Sequence, residues 1–222
     1  SPARDSSPYL WPLFTYTEDR EKGYWEWDSP WPLIVFARGQ GKTTDRIWPF
    51  YSRARTPTSE SKFYAWPVYK VNRVVAPPLA RQRERVLFYL YSNVAETNTL
   101  RETTLRRKDL WPLFTTYQDH DGNRRFQALA LLEPFLPNNK AIERNYSPLW
   151  SIYRWEKRAA TGASSTSVLW NLYRHERSAD TRKCSILFGL FQYQSAPEGR
   201  RVRLFYLPLT RAPKAAADGA AR

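Results

Sequence analysis

A short aromatic motif returns along almost the whole chain, and this repeat constrains the fold more than any other feature. Residues 10–15 read LWPLFT, and residues 110–115 read the same six letters. The common template is a large aromatic residue, a variable residue that is often Pro, an aliphatic residue and a second aromatic residue. Self-similarity at a fixed period is typical of repeat architectures.

The motif recurs about every 19 residues, so eleven repeats fit in the chain. One copy has Glu133 in the place of the first aromatic residue, and later copies replace the Pro by Ser, Asn or Gly. We interpret the first aromatic residue of each other copy as a structural anchor. These anchors are Trp11, Trp31, Trp48, Trp66, Phe88, Trp111, Trp150, Trp170, Phe188 and Phe205.

The residues of the repeats favour strands over helices. Trp, Tyr, Phe, Val and Ile suit strands, and turn formers such as Asp121-Gly122 separate the copies. We therefore predict an all-β fold, an antiparallel meander of about eleven repeats, about one strand for each, closed as a barrel or as a propeller-like array. A parallel β-solenoid is the alternative. Segments 78–87 and 98–108 could be short helices among the strands.

The prolines of the motif limit where it can lie in a sheet. Pro12, Pro32, Pro49, Pro67 and Pro112 each lack the N–H group that a ladder hydrogen bond needs. The Trp-Pro pair could therefore mark a strand entry or a bend that splits each repeat into two short strands.

Composition and length indicate one folded domain with loose ends. Apolar residues make up 42% of the chain, which is enough to predict a buried core. We predict a flexible N-terminus at 1–8, a single all-β repeat domain at 9–209, and a flexible, basic, Ala-rich tail at 210–222. No apolar run is long enough for a transmembrane helix.

The chain is strongly basic, with a formal net charge of +14 and 35 Lys and Arg residues. Such an excess indicates an acidic partner such as nucleic acid, lipopolysaccharide or anionic lipid headgroups. Cations beside aromatic rings suit stacking and phosphate contacts, although Arg can also stack on rings purely for stability. The candidate polyanion contacts are Arg124, Arg125, Arg154 and Arg174.

No motif indicates catalysis or a bound cofactor. His120 and His175 are the only histidines, and Cys184 is the only cysteine. Residues 39–44 read GQGKTT and resemble the end of a phosphate-binding loop, but Phe36 stands where its first glycine is required. We therefore predict no catalytic, cofactor-binding or metal-binding residues, and a protein that is not an enzyme.

Three copies of the motif carry a resemblance to a known group of proteins. They read LWPLF at 10–14, SPLWSIY at 147–153 and LWNLY at 169–173. The chain resembles, over about residues 9–209, uncharacterised bacterial envelope proteins with recurrent Leu-Trp-Pro-Leu-Phe and Leu-Trp-x-Leu-Tyr strands. The resemblance implies an exported protein of a Gram-negative bacterium, located in the periplasm, the outer membrane or at the cell surface.

These observations predict a non-enzymatic, exported structural or protein-interaction module of the cell envelope, acting through a protein partner or self-assembly. One alternative is a polyanion binder for lipopolysaccharide or single-stranded nucleic acid that uses the Arg-aromatic rows. A second alternative is an outer-membrane β-barrel pore. Membrane association could also use an N-terminal anchor, which is not present in this chain.

Overall fold

The structure is a computed structural model that describes residues 4–9, 13–21, 23–30, 33–39, 41–136, 139 and 141–209. Twenty strands within these residues confirm the all-β class and the antiparallel meander. The chain divides into two compact units, residues 1–111 and 112–222. This division falls inside the range 9–209 for which the sequence predicts one domain.

The first unit contains eleven strands, and each pairs antiparallel with the next along the chain. The strands are β1 (Arg4–Tyr9), β2 (Phe14–Asp19), β3 (Tyr24–Asp28), β4 (Ile34–Gly39), β5 (Lys42–Ile47), β6 (Tyr51–Arg55), β7 (Ser59–Tyr64), β8 (Tyr69–Ala76), β9 (Leu79–Val86), β10 (Tyr91–Asn98) and β11 (Thr103–Leu110).

The second unit contains nine strands in the same sequential antiparallel order. They are β12 (Phe114–Gln118), β13 (Arg124–Ala128), β14 (Tyr153–Lys157), β15 (Ser164–Val168), β16 (Tyr173–Arg177), β17 (Arg182–Ile186), β18 (Phe191–Ala196), β19 (Gly199–Leu204) and β20 (Leu207–Pro208). One α-helix, α1 (Ser147–Trp150), follows a helical turn at Ile142–Tyr146, and a second helical turn, Leu187–Gly189, joins β17 to β18.

Neither unit closes on itself, so the predicted barrel or propeller closure is not found. In the described part of each unit, the first strand shares no register with the last. Pro8 in β1 and Pro208 in β20 lack the N–H that continued pairing requires, and Pro is typical of edge strands. The solenoid alternative is wrong, because neighbouring strands run antiparallel.

In most repeats of the described residues, the motif forms the turn between two strands. The copies at Glu133 and Trp150 instead lie in the connection between β13 and β14. Residues 65–68 connect β7 to β8, for example, and residues 87–90 connect β9 to β10. The prediction of one strand per repeat is therefore wrong, and the split into two short strands is confirmed. Where the second position of the motif is Pro, as in residues 65–68, the physical reason is that a turn tolerates Pro and a ladder does not. The copy at residues 87–90 has Tyr89 in that position and forms the turn without Pro.

Two segments expected as short helices are strands. Residues 79–86 form β9 and residues 103–110 form β11. In β9, Arg81, Arg83 and Arg85 alternate with other residues, which is the period-two pattern of a strand. Pairing with β8 and β10 on its two sides determines the conformation of this polar segment.

The ends of the chain differ from the expected boundaries. Residues 4–8, inside the predicted flexible segment 1–8, belong to β1 and lie in register with β2, as in the Ser6–Thr17 pair. Residues 1–3 and the predicted tail 210–222 lie outside the described residues.

The predicted apolar core is not found. Among the residues with described side chains, only Val35, Ala37 and Ala130 are buried apolar residues. Side chains alternate between the two faces of a strand, and most buried side chains on the strands lie on one face. This polar face carries Arg46, Lys70 and Arg85 in the first unit. In the second unit it carries Arg125, Arg154 and Arg174, among other polar residues.

The opposite face carries an apolar row directly beside the motif turns. In the first unit, cross-strand register joins Ile34, Ile47, Tyr51, Tyr64, Tyr69, Val86, Tyr91 and Leu110. In the second unit, it joins Phe114, Ala128, Tyr153, Val168, Tyr173, Ile186, Phe191, Leu204 and Leu207. The apolar composition of the chain is therefore concentrated at one end of the hairpins.

Candidate functional site: aromatic edges and adjacent cations

The anchors of the first unit project from neighbouring turns and remain accessible. Trp48, Trp66 and Phe88 are 44%, 43% and 56% exposed. The ring centroids lie 6.2 Å apart for Trp48 and Trp66, and 5.4 Å apart for Trp66 and Phe88. We call these three turns, residues 48–50, 65–68 and 87–90, the first aromatic edge.

Backbone hydrogen bonds join each turn of this edge to the preceding one. The Ala65 amide donates to the Phe50 carbonyl at 2.6 Å, and the Trp66 amide donates to the Pro49 carbonyl at 2.7 Å. The Leu87 amide donates to the Val68 carbonyl at 2.8 Å. The turns that carry these rings are therefore joined to one another by backbone hydrogen bonds.

The second unit repeats this arrangement in the turns at residues 169–172, 187–190 and 205–206, which we call the second aromatic edge. Trp170, Phe188 and Phe205 are 50%, 61% and 64% exposed. The Leu187 amide donates to the Leu172 carbonyl at 2.7 Å, and the Phe205 amide donates to the Leu190 carbonyl at 2.7 Å.

The remaining anchors have other surroundings. Trp111 lies partly exposed in the turn after β11, at the last position of the first unit. Trp150 is half-buried at the end of α1, where its indole Nε1 donates to Glu133 at 3.1 Å. Trp11 and Trp31 lie outside the described residues.

Several turns hold bulky residues in the left-handed region of backbone space. Phe88 has φ of 59°, Trp170 has 55° and Phe188 has 57°. Such conformations cost about 1–3 kcal/mol for residues with large side chains and concentrate at functional sites. A Gly or Asn would relieve the strain, so turn stability alone does not explain these aromatic residues.

Three of the four candidate polyanion contacts come together on the polar face of the second unit. Arg125, Arg154 and Arg174 line one open depression of about 590 Å³, together with Tyr117. Arg124 points to the opposite face, because it neighbours Arg125 along β13 and side chains alternate.

Two carboxylates, Glu156 and Glu176, pair with these three arginines. Arg154 Nη2 lies 2.6 Å from Glu156 Oε1, and Arg125 Nε lies 3.1 Å from the same oxygen. Arg174 pairs with Glu176 at 2.6 Å. Burial alone would raise the pKa of Glu156, but the charges and hydrogen bonds of Arg154 and Arg125 outweigh burial and hold that pKa below its ordinary value.

The Glu156 carboxylate should make the second unit sensitive to acid. Because its pKa is lower in the folded unit than in the unfolded chain, Glu156 stabilises the fold when the pH is above its unfolded-state pKa. This contribution is lost as the pH falls through its folded-state pKa. We expect Glu156→Gln to lower stability at neutral pH and to flatten the loss of stability in acid. Urea unfolding over a pH series measures both effects. Asp180→Asn, an exposed acid of the same unit, should leave the profile unchanged.

The first unit carries a second group of cations that the sequence analysis did not select. Arg46, Lys70, Arg83 and Arg85 lie on its polar face and form no ion pair with a described carboxylate. The alternation of arginines with other residues in β9 places Arg83 and Arg85 on the same face of the strand. The interpretation of this segment as a helix concealed that signal.

A depression of about 400 Å³ joins these cations to the first aromatic edge. Arg46 and Lys70 line it together with Trp48 and Trp66, and Leu33 and Phe63 complete the lining. At the neighbouring turn, the Arg85 guanidinium lies over the Tyr89 ring at 4.7 Å from its centroid. The site therefore combines positive charge with exposed rings.

Among the described residues, the potential nucleophile Cys184 lies opposite one histidine. His175 and Cys184 are register partners on β16 and β17. Burial, and then the neighbouring Cys184, raise the pKa of Tyr173. Within the described ranges, no group of three or more His, Cys, Asp or Glu side chains could hold a metal ion.

Comparison with known proteins adds no relative: no family model, curated protein or solved structure matches the chain. None of the described helices is long and apolar enough to cross a bilayer.

Proposed function

We propose that this chain is a non-enzymatic interaction module of the bacterial cell envelope and that its two aromatic edges are its contact surfaces. The observation that carries the proposal is the alignment of exposed rings on adjacent, hydrogen-bonded turns. Contiguous exposed apolar surface typically marks a site of protein or membrane contact. The recurrent Leu-Trp-Pro-Leu-Phe motif, which resembles exported envelope proteins, supports the location.

The distribution of residues between the two ends of the hairpins supports the same proposal. The turns at the end opposite the aromatic edges are rich in polar residues and Pro, as in residues 56–58, 119–123 and 178–181. These described hairpins, with an apolar end and a mainly polar end, suit a protein that contacts its partner at the apolar end.

Photo-crosslinking can locate the contact surface. We expect a benzophenone amino acid in place of Phe50, which is 70% exposed, to form adducts in an envelope fraction. The matched control replaces Leu100, which is 81% exposed but lies in the turn between β10 and β11 at the opposite end. A probe at Phe188 tests the second edge. Equal adducts from Leu100 and Phe50 would contradict the proposal.

Polyanion binding is a second candidate function, favoured by one specific observation. Arg125, Arg154 and Arg174 surround a single depression beside Tyr117. Because Glu156 and Glu176 already pair with them, an anion would have to compete with these carboxylates. The cations of the first unit face no such competition, which makes them the stronger anion site.

A further inference from the structure

The unpaired cations of the first unit form a row directly behind the first aromatic edge. Register places Arg46 in the same cross-strand row as Lys70, and Lys70 directly opposite Arg85. Arg46 and Arg85 are each one residue inside the end of their strand, on the side of the motif turns. Positive charge and exposed rings therefore alternate along one edge.

Two of these cations have a buried nitrogen without the hydrogen-bond partner that buried polar atoms normally have. The Nε atoms of Arg46 and Arg85 are buried and have no hydrogen-bond partner. Burial, followed by the charges of Arg85 and Arg81, lowers the pKa of Arg83, which reflects an accumulation of positive charge on β9. An anion from outside the chain would supply a counter-charge to these cations.

The thickness of the apolar region suits the interface of a bilayer. It consists of the turn and a single apolar row, so it extends about 7 Å along the strands at roughly 3.3 Å per residue. Interfacial segments insert about 5–10 Å into the boundary between headgroups and acyl chains. Trp and Tyr prefer this depth, and Arg and Lys can extend from it to the headgroups.

A second copy of the chain is a poorer partner for this edge. Contact between two copies, edge to edge, would bring the row of Arg46, Lys70 and Arg85 close to the same row of the other copy. The acids of this row are Asp28 and Asp109, and Asp109 already pairs with Arg107. Burial and Glu26 raise the pKa of Asp28 more than the charges of Lys42 and Arg46 lower it, which weakens Asp28 as a counter-charge.

We infer that the first aromatic edge docks on an anionic lipid surface, with Trp48 and Trp66 at headgroup depth and Arg46, Lys70 and Arg85 on the lipid phosphates. This inference rests on the proposed function, because it names the partner of the same contact surface. The complementarity is twofold: the rings meet the apolar boundary and the unpaired cations meet the negative charge.

Vesicle co-sedimentation tests the inference with the full chain. The probes are vesicles of phosphatidylcholine alone and of phosphatidylcholine with phosphatidylglycerol. We expect binding to the anionic vesicles and a loss of about 100-fold in affinity for the triple variant Arg46→Gln/Lys70→Gln/Arg85→Gln, since each cation near an anionic surface contributes roughly fivefold. The matched control, Arg55→Gln/Arg101→Gln/Arg106→Gln, removes the same charge elsewhere and should change affinity less than about fivefold.

The aromatic contribution is tested in the same assay. Phe50→Ser should weaken vesicle binding, whereas Leu100→Ser at the opposite end should not. Circular dichroism of every variant establishes that the strands are retained.

Three results would overturn the inference. They are equal binding to both kinds of vesicle, equal losses in the two triple variants, and binding of single-stranded oligonucleotide or self-association in place of vesicle binding. If adducts at Phe50 form while vesicle binding fails, the interaction module stands and only the lipid partner is wrong. If Phe50 forms no preferential adducts, the proposed function itself fails.

Discussion

Replacing Asp109 by Asn will lower the free energy of unfolding of the first unit by about 3–5 kcal/mol. Asp109 and Arg107 are only 2% and 5% exposed, and Arg107 Nε donates to both carboxylate oxygens, at 3.0 and 2.9 Å. The substitution leaves a buried guanidinium without its counter-charge. Urea unfolding, combined with amide hydrogen exchange of β10 and β11, measures the loss in this unit.

Two further variants test whether the burial of the Arg107–Asp109 pair causes this loss of stability. Glu176→Gln breaks the partly exposed pair with Arg174 and should cost less than about 1 kcal/mol. The double variant Arg107→Met/Asp109→Leu removes both charges and should be much less destabilising than Asp109→Asn. If Asp109→Asn and Glu176→Gln had equal effects, the buried pair would not be the source of stability that its burial indicates.

Replacing Glu133 by Ala will loosen the segment between β13 and β14, with a loss of about 3 kcal/mol or more, because three buried or half-buried donors lose their acceptor. Gln127 Nε2 donates to Glu133 Oε1 at 2.6 Å, and Trp150 Nε1 donates at 3.1 Å. The Ser147 hydroxyl donates to the same oxygen. Glu133 thus attaches α1 to the sheet of the second unit.

Limited proteolysis reports this loosening, and we expect new cleavage within residues 133–152. Glu133→Gln keeps one carbonyl acceptor and should recover part of the stability. Glu198→Ala, an exposed acid in the turn before β19, serves as the control. An unchanged cleavage pattern for Glu133→Ala would show that α1 is held by other contacts.

The sequence predicts the positions of the turns well, and the reason is local chemistry. In the copies at Trp48, Trp66 and Trp111, Pro follows the aromatic residue, and the ladder cannot use a residue without an N–H. The all-β class and the sequential antiparallel order follow from strand-forming residues between closely spaced turns.

The sequence predicts the candidate site only in part. Arg125, Arg154 and Arg174 are selected because they stand beside rings, and they do share a depression. Two of their ion pairs, Arg154–Glu156 and Arg174–Glu176, join residues two apart on one strand, and Arg125 reaches Glu156 from the neighbouring strand β13. These pairs form only when the strands place the side chains on one face. The sequence likewise does not reveal the unpaired cations of the first unit, because which cations lack a partner can be seen only once the strands are paired.

The amino-acid sequence by itself determined the period, the strand-forming segments and the concentration of aromatic residues at one end of each hairpin, since these depend on neighbouring residues alone. The tertiary structure decided the number of strands in a repeat, the open ends of each unit, and which arginines meet a carboxylate. It also decided that the aromatic residues at the motif turns stay exposed. Burial depends on neighbours brought in from other strands. Ion pairs between residues two apart, such as Arg154 and Glu156, form only when the extended strand places both side chains on one face.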